Sequence, residues 1–183
     1  MTILDQFLIA LGLSADAFAI SLILGLAVYS GKIKKAVITG LYFGVFQAVM
    51  PVIGYFLAAL FSGFIGIYDR WIAFALLFFI GIKMMYESFK KQNEEKTEAS
   101  FSPLHMLPLA LATSIDAMAV GASFVLTQIS LVPAIFIIGI TTFLLSGSGI
   151  ILGGYVGVKI GAKANFAGGV ILILIGFRIL MTS

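Results

Sequence analysis

The sequence predicts an all-α integral membrane protein of six transmembrane helices, arranged as two inverted-topology repeats of three. Three observations predict it. Of 183 residues, 61% are hydrophobic and 10% are charged, with a mean hydropathy of +1.17. A soluble domain of this size cannot hide so much apolar surface in one core. Six apolar runs are each long enough to cross a bilayer, which takes about 20 helical residues. The first half of the chain also resembles the second at several separated stretches.

Span one covers Ile3–Tyr29. Its start, MTILDQFLIA, has no basic leader, and the apolar run is too long for a signal peptide, so it is expected to stay as a helix. Span two covers Ala36–Phe64 and carries Pro51, which loosens a helix by removing one N–H. Span three is Trp71–Phe89, with Trp71 beside Asp69 and Arg70 as an interfacial anchor. The polar stretch KKQNEEKTEAS, Lys90–Ser100, has no apolar periodicity and reads as a solvated linker. The chain thus divides into a first repeat (1–89), a linker (90–102) and a second repeat (103–183). Spans four, five and six cover Pro103–Thr127, Leu131–Ile160 and Lys163–Met181. Gly149, Gly153, Gly157 and Gly161 recur every four residues along span five, as Gly40, Gly44 and Ala48 do in span two. Such stripes let backbones approach, either inside the bundle or across a homodimer face.

Lys32, Lys34 and Lys35 follow span one; Lys90, Lys91 and Lys96 follow span three; Lys159 and Lys163 bracket the turn after span five. These connections share one face of the membrane, and the positive-inside rule makes that face cytoplasmic, with both termini outside. Lysines snorkelling from helix ends are the plainer reading. The net charge of +3 gives no reason to expect nucleic acid, and the absence of cysteine excludes disulfides and thiolate metal sites.

LSADAFAIS matches TSIDAMAVG, placing Asp16 over Asp116. FFIGIKMM (78–85) matches ILIGFRIL (173–180), placing Lys83 over Arg178. GLYFGVFQAVMPVIG (40–54) lies on GITTFLLSGSGIILG (139–153), with Gln47 over Ser146; this pairing is the least similar of the three. Three spans per repeat is an odd number, so the second copy enters the bilayer inverted. A pseudo-two-fold axis in the membrane plane then brings midplane residues of both halves to one depth.

An Asp at the centre of a membrane helix costs roughly 2.5–3.5 kcal/mol on an insertion scale, and here the cost is met twice. The helix neighbours are small: Gly12 and Ala19 beside Asp16, Ala112 and Ala119 beside Asp116. Asp16, Asp116, Gln47, Ser146 and Thr113 are therefore the candidate metal ligands. All are hard oxygen donors suited to Mg²⁺, Ca²⁺ or Mn²⁺. Met50 and Met118, at a similar depth, either fill the core or soften the site toward Mn²⁺. The single histidine, His105, lies at the end of span four. Lys83 and Arg178 either snorkel or gate the site by pairing with an Asp in the absence of metal. The competing structural reading is a pair of protonated aspartates bonded across a helix interface.

The doubled D-A-x-A motif, the six spans and the length resemble the MntP-type manganese efflux pumps, within a wider lysine-exporter-like superfamily. The resemblance covers essentially the whole chain and transfers roles only to Asp16 and Asp116. It implies a Mn²⁺ exporter of the bacterial cytoplasmic membrane, not an enzyme, with Mn²⁺ as cargo and no cofactor. No ATP-binding motif is present, so a gradient must supply the energy, and two protons entering per Mn²⁺ leaving would balance charge. Rocking of one repeat against the other would switch access. Rival readings are an exporter of another cation or of a basic amino acid, a passive channel, and a membrane protein with a purely structural role.

Overall fold

A computed structural model describes residues 3–28, 30–61, 69–89, 100–127, 129–156 and 158–181. All regular structure among them is helical: α1 Ile3–Leu26, α2 Lys32–Phe61, α3 Asp69–Phe89, α4 Pro103–Leu126, α5 Leu131–Val156 and α6 Val158–Met181. Each is long and apolar enough to cross a membrane. The helices start and stop where local chemistry directs. Ser102 in an extended conformation followed by Pro103 opens α4, since proline at the first position gives up an N–H that would have no helical partner. Gly31, with φ of 65°, turns the chain between α1 and α2.

One boundary differs from expectation. α5 ends at Val156 and α6 begins at Val158, so Lys159 and Lys163 sit in the first turns of α6 instead of bracketing a loop. Lysine is a good helix former, and its charge does not break a helix at the membrane edge. The four-residue glycine stripe is accordingly not a feature of one helix: Gly161 belongs to α6, and Gly157 lies outside the described residues. Lys90, Lys91 and Lys96, with most of the linker, also lie outside them.

The six helices form a ring in the order α1, α6, α3, α4, α2, α5 and back to α1, each packed chiefly on the two beside it. Members of the two halves alternate around this ring. Within a half, successive helices barely touch among the described residues. α1 and α4 meet only lightly and are the most enclosed, with 61% and 56% of their most apolar stretches buried against 28–39% for the others. Their outward residues, and those of α2 and α5, are large and apolar (Leu41, Val45, Leu111, Ile115, Phe136, Ile140), as lipid contact requires.

Close approach at glycine sets the crossings. Gly153 of α5 presses on the Leu22 carbonyl of α1, and Gly54 of α2 presses on the Met118 carbonyl of α4; a methyl at either would overlap backbone. Gly40 meets Phe143, and Gly44 meets Gly139, across α2 and α5. Gly81 meets Gly169 across α3 and α6. These glycines serve contacts within the chain, so the stripes give no support to a dimer face.

Candidate functional site

Asp116 is held by α4 with its side chain 10% exposed, and Lys83 of α3 donates to both of its oxygens, at 2.8 and 2.9 Å. Such a bidentate, charge-assisted contact largely neutralises a carboxylate that the lipid would otherwise penalise. The Lys83 side chain is 47% exposed, and its nitrogen also stands 4.0 Å from Glu87, one turn further along α3.

Asp16 has different surroundings. It projects from α1 on the side facing α6, where Gly12 and Ala15 abut Gly168. Its Oδ1 is buried without a hydrogen-bond partner. Asn165 of α6 is the group within hydrogen-bonding reach, and the charges of Asp116, Glu87 and Lys83 all lie near enough to act on it. The two carboxylates thus face a common region from the two innermost helices.

Gln47 is fully buried and ties those helices together: its amide nitrogen lies 3.3 Å from both the Leu13 and the Thr113 carbonyls. Its Oε1 has no partner. Pro51, four residues on, also lacks the N–H that the Gln47 carbonyl would normally accept, which frees backbone at this level of α2. Thr113 donates its hydroxyl back to the Leu109 and Ala110 carbonyls, leaving its lone pairs for another group.

The remaining sequence candidates lie elsewhere. Ser146 is buried and its hydroxyl has no partner. Its helix neighbours place it against another face of α1: Thr142 bonds Ser14 at 2.7 Å, and Gly149 abuts Ser21. Ser14 and Ser21 lie roughly 140–160° around α1 from Asp16, at 3.6 residues per turn. Arg178 does not reach either site carboxylate; it bonds the buried Asp5 near the start of α1.

Asn165, Glu87 and Asp5 are polar groups that a search for duplicated residues passes over. By the alignments that pair Asp16 with Asp116 and Lys83 with Arg178, their counterparts are Arg70, Thr182 and His105, unlike in each case. The sequence offered no signal for Asn165, which stands two residues after Lys163 at the start of span six; its depth appears only with α6 beginning at Val158.

Among the described residues no three His, Cys, Asp or Glu side chains gather into a metal-binding group. An ion held here would depend on two carboxylates supplemented by amide, hydroxyl and carbonyl oxygens. Six buried side-chain atoms among the described residues lack a hydrogen-bond partner, and every one is an oxygen: Gln6, Asp16, Thr39, Gln47, Ser146 and Asn165. Three of the six, on Asp16, Gln47 and Asn165, belong to the polar region between α1, α2, α4 and α6. Oxygen lone pairs without donors are what a hard cation takes up.

Residues 30–180 match the family described as "Putative manganese efflux pump". A protein of Desulfitobacterium hafniense named "Putative manganese efflux pump MntP" is 48% identical, over 97% of this chain and 94% of its own length. Proteins of the same name from Acetivibrio thermocellus and Mannheimia succiniciproducens are each 43% identical, over 98% and 99% of this chain and 91% and 97% of their own. No solved structure matches. Matches of this identity and coverage, on six membrane-spanning helices with two enclosed aspartates, show that the chain belongs to the MntP family, a family of transporters and not of enzymes.

Proposed function

We propose that the protein exports Mn²⁺ from the cytoplasm in exchange for protons, using Asp16 and Asp116 as the ion-carrying groups. One observation carries this reading. Two carboxylates occupy the most enclosed helices, one neutralised by the chain's own ammonium group and the other with an oxygen that nothing bonds. A structural pair of protonated acids would bond each other or the backbone. An arrangement that holds an internal cation beside an unsatisfied carboxylate is instead suited to exchanging one cation for another.

The supporting ligands are Gln47, whose free oxygen belongs to the residue that bridges both helices, and the Thr113 hydroxyl. Lys83 serves as the counter-charge that keeps Asp116 neutral between ions, and it moves toward Glu87 when metal takes its place. Moving a doubly charged ion outward against about 100 mV costs about 4.6 kcal/mol, and two protons entering return the same charge. Exchange at that ratio is electroneutral, so each tenfold proton gradient sustains about a hundredfold metal gradient.

The inverted repeat (1–89 and 103–183) is supported by the way contacts pair up. Gly153 on Leu22 corresponds to Gly54 on Ala122, and Gly40 on Phe143 to Gly44 on Gly139. Because the halves interleave around the ring, neither half is a separate body. We therefore take the moving units to be α1 with α5 and α4 with α2, sliding along the α2–α5 and α3–α6 contacts. The lysine-rich connections face the cytoplasm, both termini face outward, and the membrane is the bacterial cytoplasmic one.

Proteoliposomes with an imposed pH gradient test this directly. Concentrative Mn²⁺ flux should follow the gradient and collapse in Asp16→Asn. Flux that never exceeds equilibration would mark a channel. Transport of a basic amino acid without metal would replace the cargo, and an Asp16→Asn protein of undiminished flux would remove the site.

A further inference from the structure

Asn165 has no part in the export scheme as stated, although it is 7% exposed and lies against Asp16. An ionised carboxylate only accepts hydrogen bonds, so toward that form of Asp16 the amide offers its NH₂ and leaves its carbonyl oxygen turned away. That oxygen is buried and meets no donor, and neither does Oδ1 of Asp16. Two helices thus present adjacent polar groups, each with an acceptor left over. The backbones beneath them are fixed, since Gly168 fits against the Gly12 carbonyl and Ala15 with no room for a Cβ. The wall nearby is apolar, with the Met84 methyl on Gly168.

We propose that Asn165 is a ligand of the transported ion: with Asp16 it forms an all-oxygen berth between α1 and α6 that receives a divalent cation while Lys83 still occupies Asp116. The inference rests on the export reading and adds a residue and an order of events to it. The ion comes first to Asp16 because that carboxylate is uncompensated, whereas Asp116 already holds a cation in a bidentate grip. Lys83 lies within electrostatic range of Asp16. A dication arriving there repels it, and Glu87, 4.0 Å from its nitrogen, is the nearby acceptor. Asp116 is then free to complete the coordination, with Gln47 bonded to the Leu13 carbonyl, three residues before Asp16 on α1.

The test is Mn²⁺ binding to the full-length protein in nanodiscs at neutral pH, read from the loss of the free-ion EPR signal. Asn165→Ala should weaken binding at least tenfold. Asn165→Asp keeps the volume and adds ligand charge, so it should tighten binding at least tenfold and slow turnover. Lys83→Met with Asp116→Asn should still bind one ion. If Asn165→Asp binds more weakly than wild type, the amide is a donor that positions Asp16, and the proposal fails. Unchanged binding in both Asn165 variants, as expected if the amide only holds water, also overturns it. If Asp16→Asn binds as tightly as wild type, the export site itself is wrong; loss in Asp16→Asn alone sinks only the role of Asn165.

Discussion

Asp16 and Asp116 occupy matching motifs at matching positions in the two innermost helices, yet their surroundings are opposite. Asp116 has an ammonium group bonded to both oxygens; Asp16 has an amide beside it and an oxygen with no partner. The difference arises in α3 and α6. Lys83 reaches the site, whereas its counterpart Arg178 reaches Asp5 near the other end of α1. The chain therefore carries one compensated and one uncompensated acid. A site with both acids compensated would have no place to begin binding, and a site with neither would carry two buried charges whenever it held no ion. Under the proposed export, the asymmetry would give a resting state of low charge that still attracts a dication.

The largest effect should come from breaking the uncompensated side. Asp16→Asn is expected to lower Mn²⁺ transport more than 100-fold while leaving the protein as stable as wild type or more so, because it removes an unpaired buried acid. Asp116→Asn should also stop transport but should lower the thermal midpoint, since Lys83 then loses its partner. Flux in proteoliposomes and thermal unfolding in detergent read the two quantities separately. Equal stability changes for the two variants would contradict the asymmetry.

Lys83→Met attacks the compensated side. Without its internal competitor, Asp116 should hold metal at least tenfold more tightly, and turnover should fall because release has lost its driving partner. In the absence of metal the variant should be less stable by about 1–3 kcal/mol, the usual cost of leaving a buried acceptor unsatisfied, and saturating Mn²⁺ should restore it. A variant indifferent to metal would mean that Lys83 only anchors α3 at the interface.

Arg178→Gln removes the counterpart cation and should behave differently in transport. Arg178 is more than half exposed but its partner Asp5 is buried, so the variant leaves a buried acceptor short of a donor and should lose about 1–3 kcal/mol of stability, as Lys83→Met does. Transport should stay within about twofold of wild type. A tenfold loss of flux with the fold intact would show that the outer ion pair takes part in switching access.

These contrasts also show what could be read from the chain alone. The spans were legible because lipid imposes a length and an apolar composition on every helix that crosses it. Asp16 and Asp116 were legible because each is costly and because the cost recurs. The partner of Asp116 was not: hydropathy gives the depth of Lys83 but says nothing of which helices adjoin, and the ring order interleaves the halves. The boundary at Val156 was missed because no breaker other than glycine precedes Lys159 and the lysines themselves favour helix. Asn165 was missed for a third reason. It is uncharged, occurs once, and its counterpart is Arg70, so neither cost nor repetition marks it.

The smallest effect concerns the residue that the alignment sets over Gln47. Ser146 lies on α5 between Thr142 and Gly149, which touch Ser14 and Ser21, and so it faces the side of α1 turned away from Asp16. Its hydroxyl is fully buried with no partner. Ser146→Ala removes a polar group that makes no bond and leaves a space smaller than a methyl, so stability should be unchanged within about 0.5 kcal/mol or should rise. Transport should be unaffected, unlike that of Gln47→Leu, which severs the amide bridge between α1 and α4 and takes away a free oxygen at the site. Parallel measurement of the two variants compares positions that the sequence treats as equivalent. If Ser146→Ala loses tenfold in flux with its fold intact, the ion must pass along the α1–α5 interface. The berth between α1 and α6 would then be only one part of its route.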